Sequence, residues 1–227
     1  ILVFVTFYKV STLAQLCIKI LAAGYVNAAI YTLPIITFLL KDPTAAIIGN
    51  LVQIIIIQSI FIIIISLSSH QEKSIFIRLI NIITTPLIIM PVLGLIYNYI
   101  QFYPPTIIVE VLQNIGNSAS SIALFTFGLT LGGIKFSTAI IDKNLSIIIF
   151  IKNIMHPIIA FFVGNYIFHL DDYWLYSIII ASSAPTAFVV YLTAKQFSIE
   201  QDLIKNVVAL SSMVSLIFLI IIIFLLK

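Results

Sequence analysis

The chain has 227 residues, of which 62% are hydrophobic and 8% charged, and a formal net charge of +3. Soluble domains carry about 25% charged residues, so this composition excludes an ordinary soluble fold and predicts a mostly helical integral membrane protein. The charge is too small to argue for nucleic acid, and a single cysteine, Cys17, excludes an intrachain disulfide.

Residues 1–8 form an apolar run too short to span a bilayer. The run lacks a basic n-region and a small-residue cleavage site, so it is no signal peptide. It reads as the tail of a transmembrane helix whose beginning is absent, so a chain incomplete at its N-terminus is expected. A polar turn leads to a first full span, residues 16–40, interrupted between Asn27 and Pro34. The second span, residues 45–67, carries three amides, Asn50, Gln53 and Gln58, expected to face protein. A polar loop over residues 68–73 precedes the third span, residues 75–100, with Pro86 and Pro91 inside it. Pro104 and Pro105 open a connecting piece that includes Glu110. The fourth span, residues 118–131, contains Gly128 and Gly132, a small-x-x-x-small spacing suited to internal helix packing. The fifth, residues 145–168, ends at Asp171 and Asp172. The sixth, residues 173–194, is broken at Ser182-Ser183-Ala184-Pro185-Thr186, and the seventh is residues 204–226. Ser211 and Ser215 repeat the small-residue spacing there. No linker divides the chain, so one transmembrane domain is expected over residues 1–227.

The first and sixth spans organise the rest. Proline lacks an N–H and obstructs the carbonyl one turn earlier. Backbone groups freed at mid-depth cannot face lipid, so they line a cavity or pack on protein. Two proline-broken spans in matching positions point to a transporter's binding site. The spans are five steps apart, so they cross the membrane in opposite senses, as an inverted repeat requires. On a five-span repeat, residues 75–227 are a complete copy and residues 1–67 a remnant of the other. Loop charges set the orientation. Nine of the 11 basic residues, including Lys19, Lys73, Lys143, Lys152 and Lys205, fall on one side; Lys41 and Lys227 fall on the other. The rich side is placed in the cytoplasm and the C-terminus outside.

The ordered motifs resemble the auxin efflux carrier family, whose bacterial members are malate and malonate permease-like. Tyr25-Val26-Asn27 with Leu33-Pro34 is similar to its first crossover, and Ala184-Pro185-Thr186 with Ala194-Lys195-Gln196-Phe197 to its second. Thr85-Pro86 with Gly94, Gly116-Asn117 through Gly128, and residues 211–216 match further segments. The resemblance implies an all-α polytopic membrane protein with a partial five-plus-five inverted-repeat transporter fold and two proline-broken crossover helices. It also implies a bacterial inner-membrane location. Ala29, Thr32 and Ala187 stand where the family carries crossover glycines, Thr85 replaces its asparagine, and Ser121 replaces a proline. Loss of glycine is expected to narrow what the crossover backbone can do.

The expected substrate is a small organic anion such as a carboxylate. Its expected contacts are Asn27, Leu33, Pro34, Ser182, Ser183, Ala184, Pro185 and Thr186. Helix N-termini at a crossing present unpaired N–H groups and partial positive charge. His156 and Asn117 are candidates for coupling, since a titratable group at depth is a functional hypothesis. A hydrogen-bonded packing role for His156 stands beside it. Lys152 is expected to snorkel to the cytoplasmic surface. All eight acids fall in loops or at span ends, so a carboxylate proton relay is unsupported. No metal cluster, nucleotide loop or paired acids occur, so neither cofactor nor enzyme activity is expected. A secondary carrier is the first reading. A non-transporting remnant or assembly partner of a split carrier is the second, an intramembrane enzyme a distant third. The expected partners are the substrate anion, the lipid bilayer and a second copy in a homodimer.

Overall fold

A computed structural model describes residues 12–68, 76–77, 80, 84, 86–101, 104–133 and 143–225. The stub, the loop over residues 69–73, Thr85, Lys135 and Lys227 lie outside the described residues. Nine helices follow in order among the described residues, and the extended pairing is confined to one isolated bridge, Val26 with Thr186. They are α1 (Leu13–Gly24), α2 (Ala28–Leu40), α3 (Thr44–Ser68), α4 (Pro86–Tyr99) and α5 (Thr106–Gly133). After them come α6 (Lys143–Ile167), α7 (Asp172–Ser183), α8 (Phe188–Phe197) and α9 (Gln201–Leu225). Three are long and apolar enough to cross a membrane: α3, α6, and α9 over Gln201–Ile221. The α1–α2 and α7–α8 tandems supply two further apolar stretches, each broken in its middle.

Local chemistry explains the ends. The Thr12 hydroxyl accepts the Gln15 N–H at 3.2 Å and caps α1. The Asp171 carboxylate accepts the Trp174 N–H at 3.1 Å and, with Asp172 in the first turn, starts α7. Lys41 (φ 61°) and Ser198 (φ 56°) close α2 and α8 in the left-handed region, Lys41 standing over the Phe38 ring. Between α2 and α3, the Thr44 hydroxyl and N–H hold the Asp42 carboxyl below the usual carboxylate range. The Tyr173 hydroxyl meanwhile donates to the Asp42 carbonyl and accepts from Ala45 N. α5 starts twelve residues before the expected span, so Glu110 belongs to its first turns. Pro86 opens α4 and Pro91 lies inside it.

Two prolines sit just after single π-helical turns. One such turn covers Ala28–Thr32 before Pro34, the other Ile151–Met155 before Pro157. A π turn shifts the hydrogen bond to the fifth residue back, which accommodates the missing proline N–H without leaving a cut helix.

Two apolar clusters form the core. The larger joins α1 (Ile18, Leu21, Ala22) to Ile65 of α3, Ile148 of α6, Val190 and Ala194 of α8, and Ile204 and Val207 of α9. The smaller joins Tyr31, Ile35 and Ile36 of α2 to Ala46, Ile180 and Ala184. The breaks lie where the two clusters meet: Tyr25 and Ala187 belong to the first, Ala184 to the second. Buried alanines bring the backbones close, as small residues do between membrane helices. Gly128 shows no such role among the described residues, where a Cβ would meet nothing within 4 Å. Gly164 has it instead: a Cβ would come within 2.5 Å of Ile178 Cδ1, on α7.

Candidate substrate site at the paired helix breaks

α1 ends at Gly24 and α2 begins at Ala28; α7 ends at Ser183 and α8 begins at Phe188. The segments between are extended and lie antiparallel. Asn27 N–H donates to the Pro185 carbonyl at 2.8 Å, and Ala187 N–H to the Tyr25 carbonyl at 3.3 Å. The first break thus falls at residues 25–27, upstream of the proline, and Pro34 lies in the first α-helical turn after it. Neither break needs glycine. Ala184 (φ −63°, ψ 152°) and Ala187 (φ −69°, ψ 142°) take extended angles open to any residue, and Thr32 (φ −66°, ψ −48°) is helical. The expected restriction by lost glycines is therefore not seen in the backbone.

Buried backbone polar groups require partners, and side chains supply them here. Gln53 of α3 treats Val26 as a neighbouring strand would. Its Oε1 accepts the Val26 N–H at 2.9 Å and its Nε2 donates to the Val26 carbonyl at 2.7 Å. Gln58 accepts from the Tyr25 hydroxyl at 2.7 Å. Across the second break, Thr186 N–H donates to Ser211 Oγ at 3.1 Å, and the Thr186 hydroxyl donates to the Ala22 carbonyl at 2.6 Å. Asn153 Nδ2 donates to the Ser211 carbonyl and to Ser215 Oγ, while the Tyr31 hydroxyl donates to the Ser215 carbonyl. Ser211 and Ser215 thus tie α9 to the crossing by hydrogen bonds, which goes beyond the packing role expected of them.

A cavity of about 530 Å³ opens against this crossing. Its wall combines the first turn of α2 (Ala28, Ala29, Ile30), the first turn of α8 (Phe188, Val189), and the amides Asn27, Asn50, Gln53 and Gln58. Leu192, Thr193 and Gln196 of α8 complete one side. Among the described residues, no acidic or basic side chain lines it. The N–H groups of Ala29, Phe188 and Val189 have no hydrogen-bond partner among the described residues. Two helix N-termini therefore present free donors and partial positive charge to one volume.

The expected contact residues separate into two groups. Asn27 lines the cavity and caps α2, its Oδ1 accepting the Ile30 N–H at 3.4 Å. Leu33, Pro34, Ser182, Ser183, Ala184, Pro185 and Thr186 are not in its wall. The Ser182 and Ser183 hydroxyls turn back onto the Ile179 carbonyl at 3.0 and 2.7 Å, and the Thr186 hydroxyl is committed to Ala22. These residues build the break behind the cavity. Asn117 is exposed on α5, which packs on α2.

Lys152 overturns the expected snorkelling. It is fully buried, about 14 Å along α6 from that helix's start, and its ammonium donates to the Ser182 carbonyl at 3.2 Å. It stands 3.2 Å from His156 Nδ1. Without Lys152 the loop count becomes eight against two, in the same direction. Lys19, also counted there, is buried and paired with Glu200 at 3.2 Å. The three amides of α3 were underestimated as well. Their spacing, at positions 50, 53 and 58, puts them on one helix face and was the available signal.

The sequence profile described as membrane transport protein, that of the auxin efflux carrier family, matches residues 1–223. The chain belongs to this family. Over 130 residues, 57% of the chain, it is 22% identical to a protein of Rhizobium meliloti (strain 1021) described as "Putative malonate transporter". That match spans 40% of the relative's own length. Family and apolar helices together make this an integral membrane protein of a transporter family.

Proposed function

We propose that this auxin efflux carrier family member forms the crossover site of a secondary carrier for small organic anions such as carboxylates, with malonate the first candidate. One observation carries the reading: two helix N-termini whose N–H groups have no partner among the described residues converge on a cavity that no described carboxylate lines. Each N-terminus contributes about half a positive charge, and its free donors suit carboxylate oxygens. Asn27 and Asn50 can add amide donors. The apolar residues Ile30, Ile54 and Leu192 would enclose a short carbon skeleton. In this reading Asn27 touches the substrate. Leu33, Pro34 and residues 182–186 keep the break open, and His156 and Asn117 remain candidates for coupling.

The antiparallel meeting of the two breaks supports an inverted repeat, with residues 75–227 as one copy and residues 1–67 as part of the other. The same proposal places the protein in a bacterial inner membrane with its C-terminus outside, in lipid, as a homodimer. The relative's name supports malonate only as a place to start. The test is malonate binding to the purified protein in lipid nanodiscs, for the parent and for Asn27→Ala and Asn50→Leu. Binding that weakens about tenfold in each variant, the loss of one charged hydrogen bond, is expected. Equal binding by parent and both variants, or preference for a cation or neutral solute of similar size, would refute the site.

A further inference from the structure

The described wall of the cavity is neutral, and that bears on the charge of what it holds. Its polar side chains are the amides of Asn27, Asn50, Gln53, Gln58 and Gln196 and the hydroxyls of Tyr25 and Thr193; the other described lining residues are apolar. Positive charge there comes from the backbone. The N-termini of α2 and α8 carry about half an elementary charge each, about one in total, and the field falls off within the first turn. One ionised carboxylate matches this supply. A second finds no counter-charge, and an unpaired charge beside apolar walls is costly.

A protonated carboxyl is cheaper to hold, and its O–H needs an acceptor. The wall offers two. The Thr193 hydroxyl, 6% exposed, donates to the Val189 carbonyl at 2.9 Å, and its oxygen accepts from no group among the described residues. Thr193 stands about 7.5 Å along α8 from Phe188, beyond the first turn. The side-chain amide of Asn50 has no hydrogen-bond partner among the described residues. The oxygens of Gln53 and Gln58, by contrast, are taken by Val26 N–H and the Tyr25 hydroxyl. Tyr25 is the titratable wall residue among those described, and that hydrogen bond, at 2.7 Å, commits its proton. Lys19 on α1, Tyr31 on α2, Tyr191 and Lys195 on α8, and Glu110 on α5 lie outside the wall, as do Lys152 and His156 on α6.

We infer that the site takes its anion in the singly charged form, so that a dicarboxylic acid is bound as the hydrogen monoanion, with one carboxyl ionised and the other protonated. The ionised group meets the N–H groups of Ala29, Phe188 and Val189; the protonated one donates to an oxygen of Thr193 or Asn50. This rests on the anion-carrier reading above and narrows it. Such a ligand brings its own proton into the crossing, without a side chain that must titrate.

The experiment measures binding to the purified protein in lipid nanodiscs from about pH 5 to about pH 8. Two probes differ in one group: malonate, and malonamate, in which an amide replaces one carboxyl and the charge stays at one throughout. Malonamate should bind with the same affinity across the range. Malonate should resemble it in acid and weaken by about tenfold for each pH unit once its second carboxyl ionises, on the order of a hundredfold by about pH 8. The inference is overturned if malonate binds equally at all pH values, or binds as tightly as malonamate at the alkaline end. The anion site then stands and its charge preference is wrong. Parallel weakening of both probes assigns the titration to a side chain and overturns the inference as well. Binding of neither probe at any pH refutes the site itself, and the inference with it.

Discussion

Replacing Gln53 by methionine tests how the first break is held. The two side chains have similar length, so the change removes polarity and little volume. Gln53 is 7% exposed and makes two hydrogen bonds to Val26, at 2.9 and 2.7 Å. The losses differ in kind. The Val26 carbonyl keeps the Ala28 N–H at 2.9 Å, so it remains satisfied. The Val26 N–H keeps nothing and becomes a half-buried donor without a partner. One ordinary hydrogen bond is worth about 1 kcal/mol and an orphaned donor costs about 1–3 kcal/mol, which sums to about 2–4 kcal/mol. For a chain of this size about 1 kcal/mol moves the melting temperature by 2–4 °C, so a fall of about 5–15 °C is expected. Cys17 provides the assay. It is the sole cysteine, 4% exposed in α1, so a thiol-reactive fluorogenic dye reports the opening of the helix that ends at the break. Gln53→Glu should fall as well, because a carboxylate can accept from Val26 N–H but cannot donate to its carbonyl. If Gln53→Met melts within about 1 °C of the parent, Val26 is held by something else and the reasoning is wrong.

Three further outcomes are expected. Thr186→Val should lower the melting temperature by the equivalent of about 1–2 kcal/mol, because it strands the Ala22 carbonyl; Thr186→Ser should restore it, and failure of serine to do so would assign the effect to packing. Glu200→Gln removes the carboxylate that pairs with Lys19, itself 4% exposed, at a cost of about 1–3 kcal/mol; the double change with Lys19→Met should recover most of it, and additive losses in the cycle would exclude coupling. The Asp42 carboxyl is held low by Thr44, so its contribution is present above the ordinary carboxylate range and is lost as pH falls through the lowered value. The protection factor for amide exchange at residues 44–47, which corrects for the intrinsic pH dependence of exchange, should accordingly change little between about pH 5 and 8 and fall in more acidic buffer, and Asp42→Asn should lower it at any pH.

Much of the architecture was legible because lipid imposes a simple rule. A backbone interruption inside an apolar run must be satisfied by protein, so Asn27 and Pro185 marked the places where chain segments meet. The particular partners were less legible. Proline was read as the interrupting residue at both sites, yet the first break opens three residues ahead of the π turn that carries Pro34's missing donor. Hydroxyls next to Pro185 looked like ligands in the sequence. Ser182 and Ser183 have carbonyls of the preceding turn within reach, however, and a hydroxyl in a helix takes such a carbonyl when no better acceptor is near. Lys152 was misread because its long stem permits two opposite fates. A stem that can snorkel can also reach a helix end, and which occurs depends on what α7 places beside it. Gly164 was passed over while Gly128 was singled out, since spacing alone cannot say which glycine another helix approaches.

The crossing sorts charge by direction. Both tandems enter it with a helix C-terminus and leave it with a helix N-terminus, and the two N-termini line one cavity. The side chains follow the same division. Neutral amides and unpaired N–H groups stand at the N-terminal ends, where an anion would gain from them. At the C-terminal end of α7 stands the amino group of Lys152. Pinning is done by groups that carry no net charge: Gln53 for Val26, Ser211 for Thr186. That choice keeps the polar bonds needed for stability from neutralising the dipoles available for binding. It also fits a cavity wall with no acid among the described residues. A carboxylate at Gln53 or Asn50 would accept the free N–H groups of α2 and α8 and occupy the site with the protein's own anion.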